Sequence, residues 1–150
     1  MDEAKNTPVF GNGKCSLDYN MFNEDFPIIK TLEIDLIRLM ELAVKSEIYL
    51  KDSFFNIYGA GAGIPPHTHV NTLDRDTCLN LAKQKYSLVY YLSVGDQDCS
   101  EPGIFKLYDP DEEILPTDGM ILIIPASRKH SAVYNGKTDR VMIGVNFYCL

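Results

Sequence analysis

From residue 47 to residue 150, short β-prone runs alternate with turn residues, and this rhythm constrains the fold more than any other feature. Such runs bury an apolar face only by pairing and packing, so this part of the chain points to an all-β sandwich or barrel. Strands are expected over residues 48–58, 86–94, 104–108, 120–124, 131–134 and 140–148, the first broken near Asp52-Ser53. Residues 120–124 are apolar at every position, as expected of a strand covered on both faces. Asn135-Gly136 supplies a turn between the last two strands, and Asp109-Pro110-Asp111 ends the third. Roughly seven or eight strands after one helix fit a closed or nearly closed β-barrel with a ligand mouth.

The one helix is expected over residues 32–46, with Thr31 as its N-cap. Leu32, Leu36, Leu39, Met40 and Ala43 have the spacing of a buried stripe, while Glu33, Asp35, Arg38, Glu41 and Lys45 take the wet side. This helix is scaffold. Residues 1–30, rich in Asn, Gly, Asp and Pro, read as an irregular arm with a short strand at Pro8-Val9-Phe10. Its Phe22, Phe26, Ile28 and Ile29 are expected to pack down. The 150 residues then form one domain: arm, helix, and a barrel over residues 47–150.

A formal charge of -7 argues against nucleic acid and anionic membrane surfaces as partners. No apolar run has membrane-span length, and Met-Asp-Glu-Ala-Lys opens no signal peptide, so a cytoplasmic location is expected. Cys15, Cys78, Cys99 and Cys149 form no Cys-x-x-Cys pair and read as free thiols.

Residues 58–69, Tyr-Gly-Ala-Gly-Ala-Gly-Ile-Pro-Pro-His-Thr-His, concentrate the chemistry. Strand residues i and i+2 share a face, so His67 and His69 can aim both imidazoles at one point. The third histidine of the sequence, His130, follows the turn Pro125-Ala-Ser-Arg-Lys. A single histidine is more often a satisfied core or surface residue. Two on one strand and one at a distant strand end make a candidate metal site. The polar residues 70–85 form a candidate lid or substrate-gripping loop.

Tyr58-x-x-Gly61, followed by Pro66-His67-x-His69, resembles the Tyr-x-x-Gly…His-x-Asp signature of the prolyl-4-hydroxylase-like branch of the 2-oxoglutarate/Fe(II)-dependent oxygenases. Ser87-Leu-Val-Tyr-Tyr-Leu92 is similar to the Thr-x-x-x-Tyr-Leu strand of that family, and residues 101–105 resemble its Gly-Gly-Glu-Thr-x-Phe stretch loosely. Gly119…Pro125…His130, with Arg140 ten residues later, looks like the family's Gly…Phe-Pro…His…Arg tail. The resemblance implies a mainly β, double-stranded β-helix (a jelly-roll or cupin-like barrel) with one N-terminal supporting helix. It implies Fe(II) on His67, His69 and His130, with 2-oxoglutarate as chelating co-substrate. The distal carboxylate of 2-oxoglutarate would meet the fork of Arg140 and the Tyr58 hydroxyl, with Ser87 also in the co-substrate site. The implied activity is C–H hydroxylation of a small molecule or peptide, coupled to decarboxylation of 2-oxoglutarate to succinate. Taken alone, Arg140 would read as a solvated charge and Tyr58 equally well as a core aromatic.

Three positions depart from the pattern. His69 replaces the acid of His-x-Asp, Met142 replaces a serine, and Ile64 stands where relatives often carry tyrosine. Some phage and marine-bacterial members of the family carry His-x-His as well. Three imidazoles leave the full +2 on the metal and suit zinc, nickel and copper too. Were His69 turned away, Asp74, Asp76, a water or a halide could take its place. Two other classes compete: a cupin-like three-His dioxygenase without 2-oxoglutarate, and a non-catalytic barrel that binds a metal or small acid. The cupin motif lacks its glutamate here, because residues 73 and 74 are Leu and Asp.

Overall fold

The computed structural model describes residues 9–150. Its elements run β1 (Gly13–Cys15), α1 (Pro27–Val44), β2 (Ile48–Tyr58), β3 (Ala62–His67), β4 (Lys85–Ser93), β5 (Phe105–Leu107), β6 (Glu112–Ile114), β7 (Ile121–Pro125), β8 (His130–Tyr134) and β9 (Arg140–Cys149). Single 3-10 turns lie at Met21–Asn23 and Leu81–Lys83. The strands form a five-stranded sheet, β1-β2-β9-β4-β7, and a four-stranded sheet, β3-β8-β5-β6. All pairings between these strands are antiparallel. This is the double-stranded β-helix. Of the short strand expected at residues 8–10, Pro8 lies outside the described residues and Phe10 forms an isolated bridge to Gly63.

The helix begins four residues ahead of Thr31. Pro27 takes its first turn, where a missing N–H loses no bond, and Thr31 lies inside it with Oγ1 donating to the Pro27 carbonyl. Lys45, in the left-handed region at φ 56°, caps the end. The buried stripe is also rotated from the expected one. Leu36 and Met40 are buried, with Ile29, Leu32, Ile37 and Val44 packed beside them, while Leu39 and Ala43 are exposed. The stripe meets the outer face of the five-stranded sheet, where Leu88, Ile143, Val145 and Phe147 are buried.

One extra residue in β2 decides what faces inward. Leu50 pairs with Phe147, but Asp52 pairs with Asn146, so the register slips by one between them. Side chains alternate along a strand, so a bulge exchanges the two faces. Ile48 and Leu50 join the helix-side core, whereas Phe54, Asn56 and Tyr58 line the interior cavity. The break expected at Asp52-Ser53 is this bulge, and both residues are buried. Residues 121–125 form a sheet edge rather than a central strand. Both faces are still covered, Ile121 and Ile123 on the helix side and Leu122 and Ile124 inside. No described helix is long and apolar enough to cross a membrane, and the four cysteines are free thiols.

Candidate metal centre

The two sheets enclose a cavity of about 420 Å³ whose floor is His67, His69 and His130. His67 ends β3 and pairs directly with His130, the first residue of β8. His69 lies just past the end of β3, held by its backbone N–H donating to the Ala126 carbonyl at 2.8 Å. All three are buried, at 3%, 6% and 4% exposure. The His69 Nε2 atom stands 3.1 Å from that of His67 and 3.2 Å from that of His130.

The other ring nitrogens determine what this means. Nδ1 of His67 donates to the Pro65 carbonyl at 2.9 Å, and Nδ1 of His130 donates to the Arg128 carbonyl at 3.0 Å. Nδ1 of His69 donates to Asn146 Oδ1 at 2.9 Å. In a neutral ring each Nδ1–H leaves a bare lone pair on Nε2, so three lone pairs converge with no proton between them. Burial, with both neighbouring imidazoles adding, holds His69 well below the usual imidazole range. Burial and then His67 lower His130 to about 3. Neutral rings facing each other this closely repel unless a cation sits among them.

The two spacings from His69 fit ligands of one ion. Imidazole nitrogens bind first-row divalent metals at about 2.1 Å, which puts neighbouring ligand atoms about 3.0 Å apart in an octahedron and about 3.4 Å apart in a tetrahedron. The observed 3.1 and 3.2 Å fall between these values. Phe105 stacks on His130 with ring centroids 5.1 Å apart and backs one side of the group. Among the described residues, this is the metal-competent cluster of His, Cys, Asp and Glu side chains.

No family model matches the sequence. A search of curated proteins also returned no match. Solved structures do match. HygX from Streptomyces hygroscopicus, with nickel and 2-oxoglutarate bound, superposes with a TM-score of 0.69 at 12% identity, over 97% of this chain and 75% of its own. A Pseudomonas putida prolyl-4-hydroxylase gives 0.62 at 17% identity, over 92% and 71%. An oxidoreductase of the 2OG-Fe(II) oxygenase family from Burkholderia pseudomallei gives 0.60 at 13% identity, over 83% of this chain and 57% of its own. The chain therefore spans little more than half the length of that last protein. It has the fold of the 2-oxoglutarate oxygenases.

Within that fold the expected residues fare differently. Tyr58 is buried in the cavity wall on β2, and desolvation raises its phenol well above the usual range, so the hydroxyl stays a neutral donor. Ser87 lines the cavity on β4, but its hydroxyl donates to Asn146 Oδ1 at 3.0 Å, so it supports His69. Arg140 is the main correction. It is 1% exposed and does not line the cavity. Nε donates to the Val94 carbonyl at 3.0 Å, and the two terminal nitrogens donate to the carbonyls of Gly103 and Pro102 at 2.6 Å each. The fork is closed on the backbone and lies over the rings of Tyr134 and Tyr91, at 4.7 and 5.7 Å. Gly103, at φ 79°, lets the chain pass there, since a Cβ would stand 1.9 Å from the guanidinium.

The acids proposed to replace His69 are elsewhere. Asp74 is buried against Lys85 at 2.9 Å and also accepts from the Tyr148 hydroxyl at 2.6 Å. Asp76 is exposed and accepts from the Cys78 backbone. Residues 70–85 contribute nothing to the described cavity lining, and Asp74 ties this loop to Lys85 and Tyr148. Ile64 and Met142 do line the cavity, as apolar wall. Three residues were missed. Asn146 and Asp52 stand behind His69, and Asn56 presents in the cavity wall a buried Oδ1 with no partner among the described residues. Asn146 carries one signal, a lone amide within the otherwise apolar run of residues 141–147.

Proposed function

We propose that this chain is an oxygenase that holds Fe(II) on His67, His69 and His130 and uses 2-oxoglutarate to hydroxylate a small-molecule or peptide substrate. The observation that carries the reading is the convergence of three Nε2 lone pairs at the floor of a cavity, in this fold. Bound iron with 2-oxoglutarate would supply O₂-dependent C–H oxidation, releasing succinate and CO₂. The residues of the chain do the rest. Tyr58 donates a neutral hydrogen bond to the co-substrate, and Asn56 Oδ1 accepts one from a ligand hydroxyl or amide. Phe54, Val89 and Met142 exclude water from the reacting atoms.

One observation favours a second reading. The described lining of the cavity contains no Lys or Arg, and Arg140 is occupied by three carbonyls. A three-His dioxygenase that chelates its organic substrate directly, without 2-oxoglutarate, needs no such cation. The two readings separate in one experiment. Adding 2-oxoglutarate anaerobically to the Fe(II) protein should raise a visible charge-transfer band, and O₂ should then yield succinate. Absence of both, with O₂ consumed on addition of a chelating substrate alone, would select the second reading.

A further inference from the structure

Three neutral imidazoles bring no charge to a divalent ion, and the described cavity lining carries none beyond them. A double charge in apolar surroundings is unfavourable unless fixed negative groups stand close by. One such group stands behind His69. The bulge in β2 turns Asp52 toward Asn146 on β9, its cross-strand partner. Asn146 Nδ2 donates to Asp52 Oδ2 at 3.1 Å, and Asn146 Oδ1 accepts from His69 Nδ1 at 2.9 Å. Asp52 and Asn146 are 3% and 0% exposed.

These links fix one another in sequence. A carboxylate only accepts, so the amide must turn its NH₂ to Asp52 and its oxygen to His69. His69 must then carry its proton on Nδ1, which leaves the Nε2 lone pair for the centre. Ser87, donating to the same amide oxygen, adds a second lock. A buried ion pair, Asp74 with Lys85, also stands near His69. We propose that Asp52, acting through Asn146, positions His69 as a metal ligand and places a carboxylate behind the three-imidazole ligand set. The inference rests on the metal centre proposed above and is independent of 2-oxoglutarate.

The test is anaerobic Fe(II) titration against a chromophoric chelator, with Co(II) visible spectra as a second readout and thermal melting as the fold control. Asp52→Asn keeps the size and an acceptor oxygen but removes the charge, and should weaken Fe(II) binding about 10- to 100-fold. The swap Asp52→Asn with Asn146→Asp puts the carboxylate beside His69 and should restore most of the lost affinity. Asn146→Ala keeps Asp52 but cuts the relay. It should lower affinity and alter the Co(II) spectrum, and together with the swap it carries the test if Asp52→Asn does not fold. Wild-type affinity in a folded Asp52→Asn or Asn146→Ala variant overturns the proposal, as does a swap that regains its melting temperature but not its Fe(II) affinity. If the wild-type protein binds no divalent ion, the metal centre itself falls. If it binds and these variants bind equally, only the role of Asp52 falls.

Discussion

At the scale of the residue, His69 is fitted to its surroundings. Asn146 Oδ1 already receives its Nδ1–H and the Ser87 hydroxyl. An aspartate in this place would turn an acceptor toward an acceptor. His69→Asp is therefore expected to weaken iron binding and give no gain in succinate formation at matched iron loading. A mutant faster than wild type would mean that position 69 is a vacated ligand site. Arg140 belongs to the same scale with a different role. A lysine is a point charge and cannot span the carbonyls of Val94, Pro102 and Gly103. Arg140→Lys should cost about 3 kcal/mol by stranding buried acceptors, read as a lower denaturant midpoint. An unchanged midpoint with lost 2-oxoglutarate affinity would return Arg140 to the co-substrate site.

At the scale of the element, the interior depends on β2 and β9 being paired one residue out of simple register. Below the bulge, Phe54 faces Gly144. A Cβ on Gly144 would lie 2.3 Å from the Phe54 ring, so the missing side chain is the space that the ring occupies. Gly144→Ala is expected to push the ring into the cavity and destabilise the fold by about 1–3 kcal/mol. Urea midpoints check the stability, and ligand affinity of the metal-loaded protein checks the narrowing. Normal values of both would show that β9 can move outward to absorb the methyl group.

At the scale of the whole molecule, burying neutral histidines makes the metal-free protein acid-sensitive. An unfolded histidine titrates near 6.5, whereas His130 in the fold is lowered to about 3 and His69 is lowered as well. Between those values the unfolded chain binds protons that the folded chain refuses. Stability is thus unaffected by these groups above about pH 6.5 and falls as the pH drops toward 3. The slope approaches about 1.4 kcal/mol per pH unit for each such histidine. Urea midpoints of metal-free protein from pH 7 to pH 4 should show this decline, and saturating divalent metal should raise them at neutral pH. A flat profile would mean that the imidazoles are solvated.

The sequence determined the strand rhythm, the one helix and the three histidines, because side-chain alternation and scarce residue types are local signals. Its two errors on the helix have separate causes. Thr31 and the stripe through Leu39 and Ala43 read as helix signals, yet the sheet that the helix packs on chose its face and Pro27 set its start. Arg140 stood at the expected spacing, but spacing says nothing about which carbonyls a folded loop brings to a guanidinium. Only the tertiary structure decided that Asp52 faces inward, since one bulged residue reverses the parity of β2 and pairing with β9 fixes where it falls. Only it could set Asn146 between that carboxylate and His69, because these residues are 94 and 77 positions apart along the chain. Contacts over such separations are made by sheet register, which depends on all the strands together.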